Sequence, residues 1–151
     1  MAVYTLYREQ VVNTTLEAAW DFIQNPSNLN RITPGDLDFQ IVSQVPESMA
    51  DGLLIEYRIT MPVVGKQVWL TEIKHIRHQV SFVDEQRVGP YRFWYHHHEI
   101  APHESGVKFM DTVTYQLPYG LLGGVVHHLY VKKTLDRIFN FRGQKIKEIL
   151  S

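Results

Sequence analysis

The chain has 151 residues, a formal net charge of -1 and no cysteine, with 44% hydrophobic and 12% aromatic residues. That length makes one domain around a single core the default, and the near-neutral balance excludes a disordered chain or one built to seek nucleic acid. Without cysteine, disulfides and thiolate metal sites are excluded as well. The start, MAVYTLYREQ, lacks the basic region and apolar run of a signal peptide, and no segment approaches the roughly 18 apolar residues of a membrane span. A cytoplasmic protein with no integral membrane segment is expected, which leaves the Asn13-Thr14-Thr15 glycosylation match idle.

Residues 3 to 12 mix β-branched and aromatic side chains as an edge or terminal strand does. Thr14 and Glu17 form a Thr-x-x-Glu capping box, so TLEAAWDFI is predicted to be a helix that Asn25-Pro26 ends. PSNLNRI predicts a second short helix before TPGD turns the chain. From Leu37 the apolar period becomes two, with Leu37, Phe39 and Ile41, then Leu53, Ile55, Tyr57 and Ile59, facing a core. Strands are predicted over 66 to 78, 80 to 85, 90 to 101 and 107 to 117, punctuated by VGP, PHESG and LPYG, which makes an antiparallel meander. After Pro118 an apolar stripe at Val131, Leu135, Ile138, Phe139, Ile146 and Leu150 has helical spacing, so one long helix closes the chain.

The histidines of RFWYHHHEI acquire meaning through register. The strand 107 to 117 buries its odd face, Val107, Phe109, Val113, Tyr115 and Leu117, and the polar exception there is Asp111. With a hairpin loop at 103 to 106, the cross-strand partners become Ile100 with Phe109, His98 with Asp111, His96 with Val113 and Trp94 with Tyr115. His96 and His98 then point inward, while His97 faces solvent with Tyr95 and Glu99. A buried carboxylate needs a donor, and His98 is the nearest to Asp111, a pairing that would favour the charged imidazolium of His98. This group can be a structural hydrogen bond, a ligand anchor, or an acid–base pair of His98 and Asp111. A two-His-one-carboxylate metal set of His96, His98 and Asp111 is the remaining reading. It requires imidazoles about 6.5 to 7 Å apart along a strand to lean together, and no metal or other cofactor is assigned.

The closing helix supplies the facing wall. LLGGVVHH places glycines where a helix would lose about 0.5 to 1 kcal/mol each, so residues 120 to 124 are either a loop before a helix near Val125 or a helix start where a ligand or a lid needs room. His127 is read as solvated and His128 as a cavity-rim residue. Lys132, Lys133, Arg137, Arg142, Lys145 and Lys147 read as a solvated basic face. No phosphate loop or nucleophile elbow is present.

The succession QNPSNLNRITP, EYRI, VWLTEI, FVDEQRVGPYRFWYHHHEI, DTVTYQLPYGLLGG and LDRIFNFR resembles the START-like, SRPBCC or Bet v 1-like ligand-binding superfamily, and within it a bacterial branch of small stand-alone proteins. Trp94, His96, His98, Asp111, Tyr115, Pro118 and Gly120 stand at the matching positions of the most specific segments. The resemblance implies an α+β helix-grip fold over residues 1 to 151, a curved antiparallel sheet wrapped around a long C-terminal helix, with a cavity between them. Proteins of this superfamily carry lipids, sterols or plant hormones, cyclise polyketides, or assist other proteins, and their cavities are usually metal-free. The expected function is binding of a small hydrophobic molecule. Its wall would be Tyr57, Ile59, Trp69, Thr71, Ile73, Trp94, Phe109, Val113 and Tyr115, its polar anchor His96, His98 and Asp111, and its rim His128. The alternatives are a cyclase, dehydratase or isomerase using His98 and Asp111, and an interaction module with a filled core.

Overall fold

Period-two alternation builds most of the molecule. The computed structural model describes residues 2–62, 64–118 and 121–151. Among them, β1 (Tyr4–Val12), β2 (Gln40–Ile41), β3 (Leu54–Met61), β4 (Gly65–Arg77), β5 (Ser81–Val88), β6 (Phe93–His103) and β7 (Gly106–Gln116) form one sheet in the order β1-β7-β6-β5-β4-β3-β2. Every neighbouring pair is antiparallel. The odd apolar residues of β7 are buried as expected, Val113 fully so, while Asp111 among them is only partly buried. The hairpin turn is one pair tighter than expected, because His103 and Gly106 still pair and leave only Glu104 and Ser105 to turn the chain.

Two local expectations need correction. Helix α1 (Leu16–Ile23) is capped by Thr15, whose hydroxyl accepts from the Ala18 amide at 3.2 Å, and not by Thr14. Thr14 instead gives its amide to the Val12 carbonyl at 2.9 Å, turning the chain off β1. Leu37 is buried but lies in a 3-10 turn (Gly35–Leu37), after which Asp38 at φ 45° redirects the backbone, so β2 is confined to Gln40–Ile41. PSNLNRI is helical but wound as a 3-10 helix, Pro26–Ile32, capped by the Asn25 side chain.

The C-terminal helix begins earlier than a start near Val125. Helix α2 (Leu121–Val126) runs through a π turn (His127–Val131) into α3 (Lys132–Leu150). Leu135, Ile138, Phe139 and Ile146 are buried against the concave sheet face, following the predicted stripe. Two polar ties fasten α3 to the first strand: Arg8 to Asp136, and Gln10 Nε2 to the Gly143 carbonyl at 2.9 Å. No helix among the described residues is long and apolar enough to cross a membrane.

The apolar interior divides in two. One cluster gathers Leu6, Ile59, Trp69, Trp94, Val113 and Leu135, and the other gathers Val12, Ile55, Ile73, Phe82, Ile100 and Ile146. Between them the inner positions of successive strands are polar: Arg8 and Gln10 on β1, Thr71 on β4, Asp84 on β5, His96 and His98 on β6, and Asp111 on β7. The sheet therefore carries a polar belt across its concave face, opposite α3.

Two glycines test the backbone reasoning. At Gly106, φ is +138° and an added Cβ would sit 2.1 Å from the Val12 carbonyl oxygen, a backbone atom that cannot swing away. Gly106→Ala is expected to cost about 1–3 kcal/mol from the backbone angle alone, and more with the clash, read as a lower urea midpoint at unchanged m-value. At Gly124 the nearest atom to an added Cβ is the Tyr4 hydroxyl at 3.9 Å, so packing does not require glycine. Gly124→Ala should raise stability by about 0.5–1 kcal/mol in the same measurement.

Candidate functional site

His96 and His98 occupy the inner face of β6, and each meets a carboxylate on a flanking strand. Across β6 and β7, His98 lies opposite Asp111 and His96 opposite Val113, with Trp94 opposite Tyr115 and Ile100 opposite Phe109, the register expected from the sequence. Across β5 and β6, Asp84 lies opposite His96 and Phe82 opposite His98. Asp84 escaped the sequence reading. Its signal was present in SFVDEQRV, where period two puts it on the same face as the apolar Phe82. The two imidazoles lean together, their ring centroids 3.6 Å apart with planes at 29°, and Phe82 stacks on His98 at 4.3 Å. Their spacing along the strand is therefore no obstacle to joint action. Phe139 of α3 packs edge-on against His96 at 5.4 Å and closes the cluster from above.

The hydrogen bonds differ from the expected pairing. Asp111 Oδ1 accepts from His96 Nε2 at 2.7 Å and is 3.5 Å from His98 Nδ1, so His96 and not His98 is its principal donor. His98 Nε2 donates to Asp84 Oδ2, which also lies 3.2 Å from His96 Nδ1. The other oxygen of Asp84 accepts from Trp94 Nε1 at 3.3 Å. Each imidazole thus spans the two carboxylates, one ring nitrogen toward Asp84 and the other toward Asp111. The side chains cross diagonally because Asp84 sits opposite His96 and Asp111 opposite His98, and stacked rings share both acids.

This geometry sets the charges. Burial pushes Asp84 upward, but His96 and His98 outweigh it and hold the carboxyl well below the usual range. Asp111 is likewise lowered, its burial offset mainly by the His96 hydrogen bond. Burial disfavours the charge of His96, yet Asp84 and Asp111 more than compensate and raise its pKa. His98 moves the other way, lowered by burial and by the neighbouring His96 charge. The surroundings thus favour the charge on His96 and disfavour it on His98, the reverse of the expected assignment.

The cluster opens onto a cavity of about 130 Å³ between the sheet and α3. Of the expected wall, Tyr57, Ile59, Trp69, Thr71, Ile73, Trp94 and Phe109 line it, together with His96, His98 and Asp111. Val113 and Tyr115 do not, since both are packed into the apolar cluster beside it. The Tyr115 hydroxyl is instead hydrogen-bonded to His127 Nε2 at 2.7 Å, and burial pushes its pKa up to about 12. His127 also stacks on Tyr4 at 3.5 Å, so it is a packed residue and not the solvated one expected. The His128 side chain lies outside the described residues. Asp84, Phe139 and Arg142 join the lining, and the Trp69 Nε1, Tyr91 hydroxyl and Arg142 Nε groups on this wall are buried without a hydrogen-bond partner.

Removing one partner of a buried charge pair leaves the other unsolvated. Asp84→Ala should therefore destabilise by about 3–5 kcal/mol in urea denaturation, well beyond the near-neutral effect of His97→Ala on the outer face. The pH dependence has a definite sign. Asp84 and Asp111 have lowered pKa values, so their stabilisation is present above the ordinary value of 3.8 and lost as pH falls below it. His98, lowered from 6.5, also loses stability as pH falls, whereas His96, raised from 6.5, loses it as pH rises. Urea midpoints should fall on both sides of neutrality, and His96→Gln should remove the alkaline decline.

Comparison with protein-family models gave no match, and no curated protein matched. Solved structures did. The chain superposes on protein CV1439 from Chromobacterium violaceum with a TM-score of 0.72 at 10% identity, covering 97% of both chains. A START superfamily protein from Mycobacterium smegmatis gives a TM-score of 0.64 at 8% identity, covering 98% of this chain and 96% of that one. Ara h 8.0201 gives 0.60 at 17% identity, covering 96% and 99%. A strand, a pair of short helices, a curved antiparallel sheet and a long closing helix, matched end to end by these structures, place the chain in the START/Bet v 1-like, helix-grip fold.

Proposed function

We propose that the protein binds a small, largely apolar molecule in the space between the sheet and α3. The observation that supports this is the cavity of about 130 Å³, with aromatic and aliphatic walls and buried, unpartnered donors at Trp69 Nε1 and the Tyr91 hydroxyl. Trp20 Nε1 is unpartnered too, but it lies away from the cavity. A buried donor left unpaired costs about 1–3 kcal/mol, which an acceptor oxygen on a bound molecule would recover. The volume is close to the roughly 150 Å³ of an apolar cavity that holds benzene, so the preferred ligand is about one ring in size and carries an oxygen acceptor. Such a cavity also argues against an interaction module with a filled core.

A second reading has its own support. His98, whose charge its surroundings disfavour, lines the cavity and is held through Nε2 by the Asp84 carboxylate; acting as a base on a cavity ligand through Nδ1 requires its 3.5 Å approach to Asp111 to open. The acid–base pair of that reading is accordingly His98 with Asp84, not His98 with Asp111. Under it, His98→Gln abolishes turnover of a cavity ligand while the ligand still binds; under pure carriage the ligand is recovered unchanged from both proteins.

Titration with phenol, benzoate, indole and a long-chain fatty acid, read by quenching of tryptophan fluorescence and by melting temperature, tests the carrier reading. A ligand at 100 times its Kd should add about 2.7 kcal/mol, or roughly 5–10 °C for a domain of this size. Trp69→Phe keeps the ring and removes the donor, so it should weaken the best ligand about tenfold, the worth of one buried hydrogen bond. Absence of a saturable response across the panel would overturn the proposal.

A further inference from the structure

We propose that Asp84, His96 and His98 form a binding site for a divalent first-row transition-metal ion, with the cavity as its open coordination position. The ligand atoms of these three residues, one carboxylate oxygen and one nitrogen from each imidazole, all lie within 4.8 Å of one another. His96 Nδ1 and His98 Nε2 both face Asp84 Oδ2, the former at 3.2 Å. A tetrahedral ion with bonds of about 2.1 Å spaces its ligands about 3.4 Å apart, so the three donors need only small side-chain rotations to receive one.

The surroundings are those of a metal site as well. Ligating histidines usually give their other ring N–H to a carboxylate or carbonyl, which fixes the tautomer. Asp111 serves both histidines this way, accepting from His96 Nε2 at 2.7 Å and lying 3.5 Å from His98 Nδ1. The second oxygen of Asp84 is held by Trp94 Nε1 at 3.3 Å. Every ligand therefore has an orienting partner; the ligands come from the adjacent strands β5 and β6, and Asp111 from β7 beside them. With both imidazoles neutral, two carboxylates and one dication sum to zero, which suits a buried site. Imidazole with carboxylate is the donor set of zinc and non-haem iron, and the three protein ligands leave a position facing the cavity, as open metal sites do.

The test uses the full chain stripped with a chelator. Calorimetric titration with ZnCl2 is expected to show one ion per chain, and Co2+ added in place of Zn2+ is expected to give the intense visible bands of a four- or five-coordinate site. Asp84→Asn and His98→Gln, both close in shape, should each weaken binding by about 100-fold or more, since losing even an outer partner costs 10- to 100-fold. His97→Gln, on the outer face of the same strand, should bind as the unaltered protein does. No saturable binding, or weak octahedral Co2+ bands, overturns the proposal; the Co2+ spectrum needs no variant, so a substitution that fails to fold does not rescue it. Binding abolished by His97→Gln but kept in Asp84→Asn and His98→Gln also overturns it. Ion binding and ring-ligand binding are separate titrations, so this proposal fails independently of the carrier reading.

Discussion

The structure depends on a buried charge pairing that a hydrophobic core would not ordinarily contain. Two aspartates and two stacked histidines sit in the middle of a sheet face whose other inward positions are largely apolar, and their desolvation is offset only because each imidazole reaches both carboxylates. Much else follows from that requirement. The belt divides the interior into two apolar clusters, so neither can shift without moving the polar groups between them. It also keeps bulky aliphatic residues from the centre of the concave face, which is where the cavity lies.

The closing helix answers the belt in kind. Opposite it, α3 supplies Phe139, which covers His96, and Arg142, whose guanidinium lies 4.8 Å over the Phe139 ring and whose charge reaches Asp111. On either side of these residues the helix returns to aliphatic contact through Leu135 and Ile146. The polar band therefore passes from sheet to helix, with the cavity between the two.

Most of the fold was legible because period two and period 3.6 are strong signals wherever one face is buried. The register of β6 on β7 followed from placing one polar residue, Asp111, on an otherwise apolar face, and it predicted each inward partner correctly. What could not be read was side-chain direction across strands. Register alone made His98 the partner of Asp111, whereas the rings lean and cross, so that His96 holds Asp111 and His98 holds Asp84. Asp84 lies inside the expected strand 80 to 85, and its inward face is visible only once Phe82, two residues before it, fixes the phase of that short strand. Leu37 shows the converse case. Its burial was legible and its element was not, since a 3-10 turn can present an apolar residue to the core as well as a strand can.

The two long seams of α3 are unequal. Along β1 the helix is fixed by Arg8 on Asp136 and by a side-chain donor, Gln10, on the Gly143 carbonyl. On the other side its polar tie is Arg137 to Asp36, with 47% and 63% of these side chains exposed, and such a pair contributes little and is screened by salt. That border is held by apolar packing instead, with Ile146 in one buried cluster with Phe22 and Ile32, while the ion pair lies beside Leu37 of the cavity wall. Added salt should therefore weaken the polar tie at this border and leave its apolar packing intact.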